Sequence, residues 1–306
     1  MPMFTTVLEK ALPVFIMLAL GVLCRKRNII SREGISGMKT FVVNITLPAV
    51  MFSAFASAEY SLGSVWITLM MFSICAIMLL MGVAGCRILG VPGRLSPYLS
   101  TGFEAGMLGY ALFVLLFPQE KTSSFAIVDL GQVLFVFTIY KALLKGRGGL
   151  GGVVREAVRA PAVWAILIGI LVGASGLYDA LGPGGIGGVL DAVAGFIAAP
   201  TGAVILLTIG YDLVSGEIRW RKTTKLVMLR LAVSGVGLGT ALLIDHFLLG
   251  GMVHRGALVM MFTLPPPYVL PVFADVGEER ADVSSALSAL TLITLAVFMV
   301  LTAAYR

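Results

Sequence analysis

The sequence predicts an all-α membrane protein of ten transmembrane helices, arranged as two inverted five-helix repeats. Three observations lead there. Hydrophobic residues make up 58% of the 306 residues and charged residues only 12%, with a mean hydropathy of +1.00. A water-soluble chain of this size cannot hide so much apolar surface, so lipid is the solvent. Ten apolar stretches follow one another along the chain, joined by short loops, and proline and glycine recur at corresponding places in its two halves.

The spans fall at 5–24, 37–57, 63–86, 97–117, 122–143, 158–177, 187–212, 224–248, 256–274 and 282–303, each near the length that crosses a hydrocarbon core. The first repeat is then 1–143, a cytoplasmic linker covers 144–157, and the second repeat is 158–306. The apolar segment Leu12 to Cys24 is followed by no small-residue cleavage site, so it counts as the first membrane helix and not as a signal peptide.

Orientation follows from the basic residues. The loop after helix 1 carries Arg25, Lys26, Arg27 and Arg32, the loop after helix 3 Arg87 and Arg94, and the loop after helix 5 Lys145, Arg147, Arg155 and Arg159. The loop after helix 7 adds Arg219, Arg221, Lys222 and Lys225, whereas the alternate loops 58–63, 118–123 and 177–185 hold a single base, Lys121. Loops after odd-numbered helices are therefore cytoplasmic and both termini lie outside. The loop 275–282, DVGEERAD, departs from this pattern by being acidic.

Composition also narrows the function classes. The net charge of +6 sits in these short loops and forms no basic face interleaved with aromatics, which excludes nucleic acid as a partner. Cys24, Cys75 and Cys86 lie in or at the ends of apolar runs without metal-ligand spacing. GxxxxGK[ST], HExxH and GxSxG do not occur, which argues against a transport ATPase within the chain and against an intramembrane enzyme. The glycine clusters 146–152 and 182–188 read as loops.

An odd number of helices per half places the halves in opposite orientations. Pro13 is followed eight residues later by Gly21 in helix 1, and Pro161 by Gly169 in helix 6. Pro48 interrupts helix 2 and Pro200 helix 7, while helix 4 carries Gly102, Gly106 and Gly109 opposite three consecutive prolines of helix 9, Pro265, Pro266 and Pro267. Three prolines exclude a continuous helix, and unpaired backbone at membrane depth survives only against protein or a water-filled cavity. Helix 9 must break there, and by symmetry helix 4 is expected to break or thin near Gly106. Broken helices at corresponding places of inverted halves point to a transporter's substrate site, and half-helix N-termini favour an anion.

The stretches ITLPAVMFSAF (45–55), FEAGMLGYAL (103–112), AAPTGAVILLTIG (198–210) and VLPVFADVG (269–277) carry a family resemblance. Together they resemble the auxin efflux carrier family, which includes bacterial permeases for malate- and malonate-like acids. The resemblance implies the fold of bile-acid symporters and sodium–proton antiporters. Helices 4 and 9 cross at their breaks, helices 1, 2, 6 and 7 form a scaffold with homodimer contacts, and helices 3–5 and 8–10 form an elevator-like transport core. It also implies a multi-pass protein of the bacterial cytoplasmic membrane. Many relatives have Asn-x-Gly in helix 4, followed by proline, where this chain reads Glu104-Ala105-Gly106 and Ala111.

Glu104 heads the candidate residues, because a carboxylate at that depth is expensive unless paired, hydrated or protonated. It reads as a proton-coupling group or as a neutral structural acid. Asp129 and Gln132 share a face of helix 5 and either line the cavity or tie helix 5 to helix 4 or 10. Asn44 and Thr46 stand before Pro48, to contact a ligand or to satisfy backbone freed by the proline ring; Thr201 is the counterpart at Pro200. Thr263 and Tyr268 flank the triproline as ligand contacts. Arg230, one to two turns into helix 8, is expected to snorkel to the cytoplasm in preference to pairing with a substrate. Asp245, His246 and His254 read as interfacial polar residues, not a metal site, and Asp191 and Asp212 as helix-end residues in water.

The expected function is a secondary transporter of a small organic anion such as a carboxylate, with no cofactor beyond a coupling ion, H+ or Na+. A sodium-coupled symporter of larger amphipathic anions and a non-transport membrane sensor are the alternatives.

Overall fold

Inside a bilayer every backbone N–H and C=O must find its partner within the protein, and this chain meets that condition with helices. The computed structural model describes residues 2–58, 60–145, 161–182, 185–212, 220–270, 274 and 277–304, and no strand occurs among them. Most of the linker 144–157, the glycine cluster 146–152, Arg219 and part of the segment 269–277 lie outside the described residues.

Helix α1 spans Pro2–Lys26. Ser31 caps the next helix by accepting from Gly34 N, so α2 starts earlier than expected and covers Arg32–Ala56. Pro48 cannot continue the α-helical ladder, and the turn before it widens into a π turn at Val42–Thr46. Helix α3, Leu62–Ile88, begins with a reciprocal capping box between Ser61 and Ser64. The fourth span is broken into a 3-10 turn at Ser96–Ser100, a π turn at Ala105–Gly109 and a helix α4 at Tyr110–Leu116. Helix α5 covers Thr122–Leu144, and α6 covers Pro161–Ala174. A short helix Leu177–Leu181 leads to α7, Ile186–Tyr211, which turns at Ala199–Pro200. Helix α8 is Trp220–Phe247, α9 is Arg255–Thr263 and α10 is Ala281–Ala304.

Six of these are long and apolar enough to cross a membrane: α2, α3, α5, α7, α8 and α10. The expected spans 97–117 and 256–274 do not appear as continuous helices because each is interrupted, and α6 is apolar but shorter. The break in the fourth span precedes the expected position. It occupies 101–104, and Gly106 lies in the π turn that follows.

Small residues let pairs of helices approach closely. Gly21 of α1 faces Gly210 and the carbonyl of Leu207 on α7, and Gly210 faces the carbonyl of Leu18 in return. Gly169 of α6 lies on α2, where a Cβ would stand 2.9 Å from Phe55 Cβ and 3.0 Å from the Phe52 carbonyl. The glycines eight residues after Pro13 and Pro161 therefore make the corresponding contacts, α1 on α7 and α6 on α2. Helix α3 packs on α5 and α8, and α8 packs on α9 and α10. The aromatic core sits in this second group, with Phe103, Phe113, Phe125, Phe135, Phe262 and Phe298 buried. Apolar side chains such as Leu80, Leu171 and Phe196 remain outside, as a lipid-facing surface requires.

Candidate functional site at the meeting of two broken helices

The break at 101–104 is set by Gly102, whose φ of +68° is a conformation that side chains with a Cβ disfavour. Space demands glycine too, because a Cβ there would stand 2.7 Å from Cγ of Pro267. The other break begins at Leu264, extended at φ −68° and ψ 150°, the region imposed on a residue before proline. The buried Pro265, Pro266 and Pro267 follow.

The two breaks bond directly to each other. Glu104 N donates to the Pro265 carbonyl at 2.9 Å, and Tyr268 N donates to the Glu104 carboxylate. Glu104 is 5% exposed. A carboxylate chosen from the sequence as the group facing the triproline thus clasps it, at the N-terminal end of the turn that resumes after Pro267. There a backbone N–H that begins a turn has no partner within the turn, and the carboxylate supplies one.

Arg230 spans both breaks. Its Nη2 donates to the Gly102 carbonyl at 2.8 Å and to the Leu264 carbonyl at 3.0 Å. The guanidinium carbon lies 4.9 Å from the centroid of the Phe103 ring, within cation–π range, and Phe103 meets Phe262 edge-on at 4.9 Å. With 1% of its surface exposed, Arg230 does not snorkel as expected. Its position along the helix permitted either course; its face, turned inward between the breaks, decides it.

Helix α5 supports the first break. Gln132 Oε1 accepts from Phe103 N at 3.3 Å, and Gln132 Nε2 donates to Asp129 Oδ1 at 2.9 Å. Tyr110 Oη donates to Asp129 Oδ2 at 3.2 Å. The fully buried Asp129 is thus bonded by its own helix and tied to α4. Helix α10 supports the second break through Thr294 Oγ1, which donates to the Thr263 carbonyl at 2.5 Å, and through Thr291 Oγ1, 2.6 Å from Tyr268 Oη. Thr101 Oγ1 adds a bond to the Cys75 carbonyl of α3 at 2.6 Å.

Other expected residues stand elsewhere. Gly106 faces α2, where a Cβ would be 3.4 Å from Met51 Cε and 3.5 Å from Leu47 Cδ2. Asn44 is exposed and donates to the Thr40 carbonyl of its own helix at 2.9 Å. Thr201 donates to the Ala198 carbonyl at 2.6 Å beside Pro200. His254 Nδ1 caps α9 by accepting from Ala257 N at 3.0 Å, Asp245 Oδ1 accepts from Val253 N at 3.0 Å, and Asp191 Oδ1 accepts from Tyr178 Oη at 2.6 Å. Within the acidic loop, the Glu279 carboxylate accepts from Arg94 N at 2.9 Å and from Leu95 N at 3.1 Å, and Asp282 pairs with Lys222 at 2.6 Å.

A cavity of about 180 Å³ opens beside the crossing, lined by Arg230, Ser234, Phe262, Thr263, Leu264 and Thr294 among others. Nε and Nη1 of Arg230 and Oγ of Ser234 are buried there without a hydrogen-bond partner. Sequence reasoning missed this pairing, although Arg230 and Ser234, four residues apart in an apolar run, share a helix face.

Residues 6–151 match a family described as membrane transport protein. Over that stretch the chain is similar to membrane transport proteins. The resemblance to the auxin efflux carriers stands on that match, which contains Glu104 and the first break and ends before the second. The chain is also 23% identical over 224 residues to a protein of Methanothermobacter thermautotrophicus named as an uncharacterized transporter, with 67% of each chain covered. It is a multi-pass membrane protein built from apolar helices.

Proposed function

We propose that the protein is a secondary carrier of a small organic anion, such as a carboxylate, working by elevator-type alternating access in the cytoplasmic membrane. The observation that carries this reading is the meeting of the two breaks around a buried arginine. Irregular backbone is costly in lipid and is kept where it lines a substrate pathway, and Arg230 supplies the positive charge that an anion needs. In this reading α1, α2, α6 and α7 form the scaffold, with room for a homodimer contact, while α3–α5 and α8–α10 form the moving core. The reciprocal glycine contacts of α1 with α7 and of α6 with α2 support the inverted-repeat relation on which the scaffold rests. Basic loops support cytoplasmic placement of the loops after odd-numbered helices and outside termini. Glu104, clasped to Tyr268 N, is the group assigned to proton coupling.

The test is solid-supported-membrane electrophysiology on proteoliposomes, with a panel of mono- and dicarboxylates under pH and sodium gradients. A carboxylate-evoked current that grows with an imposed pH gradient and persists when choline replaces sodium is the expected result. Absence of current for every anion under every gradient overturns the reading.

A further inference from the structure

We propose that the loop joining α1 to α2, residues 25–32, is a docking surface for anionic phospholipid headgroups, with Lys26, Arg27 and Arg32 meeting the phosphates and Ile29 entering the acyl boundary. This goes beyond the carrier reading and does not depend on it.

The segment holds more cations than its own acids can answer. Between residues 25 and 39 stand five bases, Arg25, Lys26, Arg27, Arg32 and Lys39, and one acid, Glu33. Cations elsewhere are used internally. Arg94 donates to the Leu144 carbonyl, Lys222 pairs with Asp282 at 2.6 Å, and Lys225 donates to the Leu89 carbonyl at 2.8 Å. In the loop after α1, Arg25 lies over the Tyr211 ring, 4.9 Å from its centroid, but Lys26, Arg27 and Arg32 stand exposed. Among the described residues no carboxylate forms an ion pair with Lys26 or Arg27. The helix dipoles sharpen the imbalance. Arg25 and Lys26 close α1 at its negative end, where a cation is favoured, whereas Arg32 opens α2 at the positive end, where it is not. An anion against that helix start relieves the conflict, and a basic cluster of this size beside a membrane helix attracts anionic lipid.

The turn itself is built to present these groups. Asn28 ends α1 in the left-handed conformation at φ +52°, and Ile29 N donates back to the Cys24 carbonyl at 3.0 Å, the six-to-one bond of a Schellman ending. Ser31 then caps α2 by accepting from Gly34 N. An apolar residue in the place of Ile29 commonly folds back on its helix, yet Ile29 stays 63% exposed. Held out among cations, it gains by entering the boundary between headgroups and acyl chains. Depth agrees with this placement. Helix α2 runs for 25 residues, about 37 Å, and outreaches a hydrocarbon core of roughly 30 Å, which leaves its basic first turn among headgroups.

The test measures binding of phosphatidylglycerol to the purified full chain in neutral detergent by native mass spectrometry, with phosphatidylcholine and inorganic phosphate as comparison probes. Phosphatidylglycerol is expected to bind at least roughly tenfold more tightly than phosphatidylcholine, with an affinity that falls as salt rises. Lys26→Gln/Arg27→Gln should weaken it about thirtyfold, near fivefold for each cation. Lys26→Arg/Arg27→Lys keeps the charge and should bind as wild type, which separates lost charge from a disturbed turn. Arg87→Gln/Arg221→Gln removes the same charge from exposed positions at the ends of α3 and α8, and should change affinity by less than about threefold. Ile29→Ser should cost roughly three- to tenfold. Equal affinity for the two lipids overturns the proposal, as does unchanged affinity in Lys26→Gln/Arg27→Gln. An equal loss in Arg87→Gln/Arg221→Gln overturns it by spreading the attraction over every basic loop. Displacement of phosphatidylglycerol by low-millimolar inorganic phosphate also overturns it, by making the surface a site for a soluble anion.

Discussion

The two breaks solve the same problem by opposite means. At Pro265–Pro267 the backbone has given up its N–H groups, so only acceptors need partners. The Thr263 carbonyl takes Thr294, the Leu264 carbonyl takes Arg230 and the Pro265 carbonyl takes Glu104 N. At 101–104 every residue keeps its N–H, so that break must recruit acceptors as well as donors. Gln132 Oε1 serves Phe103 N, the Pro265 carbonyl serves Glu104 N, and Arg230 serves the Gly102 carbonyl. A proline break is written into the local sequence, while a glycine break is held open from outside. The glycine side should accordingly be the more fragile one.

That comparison can be broken first at Gly102. Gly102→Ala forces a Cβ into an unfavourable conformation, at about 1–3 kcal/mol, and into the Pro267 ring, which adds a comparable overpacking cost. It is expected to give the largest loss of thermal stability of the variants considered, and a Tm unchanged from wild type would refute the glycine-held picture. Arg230→Met removes a donor shared by the two breaks. Two carbonyls lose their partner, and a loss of about 2–4 kcal/mol is expected from guanidine-induced unfolding in detergent; a loss equal to that of a single surface substitution would mean that the breaks do not depend on the bridge.

Smaller effects sharpen the contrast. Glu104→Gln keeps an oxygen for Tyr268 N, so stability should fall by no more than about 1 kcal/mol, while dependence of transport on the pH gradient disappears. Glu104→Ala loses the clasp and should cost about 1–3 kcal/mol. Equal stability of the two variants, measured by Tm, would show that the clasp contributes nothing. On the proline side, Thr294→Val removes one donor to the Thr263 carbonyl and should cost only about 1 kcal/mol, detectable as a small shift of Tm.

Much of this was legible in the residues. Apolar runs, basic loops and the placement of proline and glycine led to an all-helical membrane chain with interruptions in its fourth and ninth spans. The choice of Glu104 as the group opposite the triproline came from the same symmetry. Other readings depended on facts that spacing does not carry. Arg230 lies near enough to a helix end to snorkel, and only the inward turn of its face puts it between the breaks. Asp129 has two uses on an isolated helix; only the packed structure brings Tyr110 and Gln132 to its carboxylate. For Asn44, beside a proline, only the structure shows that its side chain is exposed and bonded to the Thr40 carbonyl. The acidic loop breaks the charge pattern because Glu279 caps the chain at Arg94 and Leu95 and Asp282 pairs with Lys222, both contacts between segments distant in sequence.

By itself the sequence determined the solvent, the helical class and where the chain cannot remain helical, because hydropathy and proline chemistry act over a few neighbouring residues. Tertiary structure alone decided which broken segment meets which, where the first break falls, and which donors remain unused at their meeting. Those outcomes depend on helix rotation and on contacts between residues more than a hundred positions apart, such as Arg230 with Gly102. No local pattern encodes them, since a side chain's partner is fixed only when a second helix packs against its face.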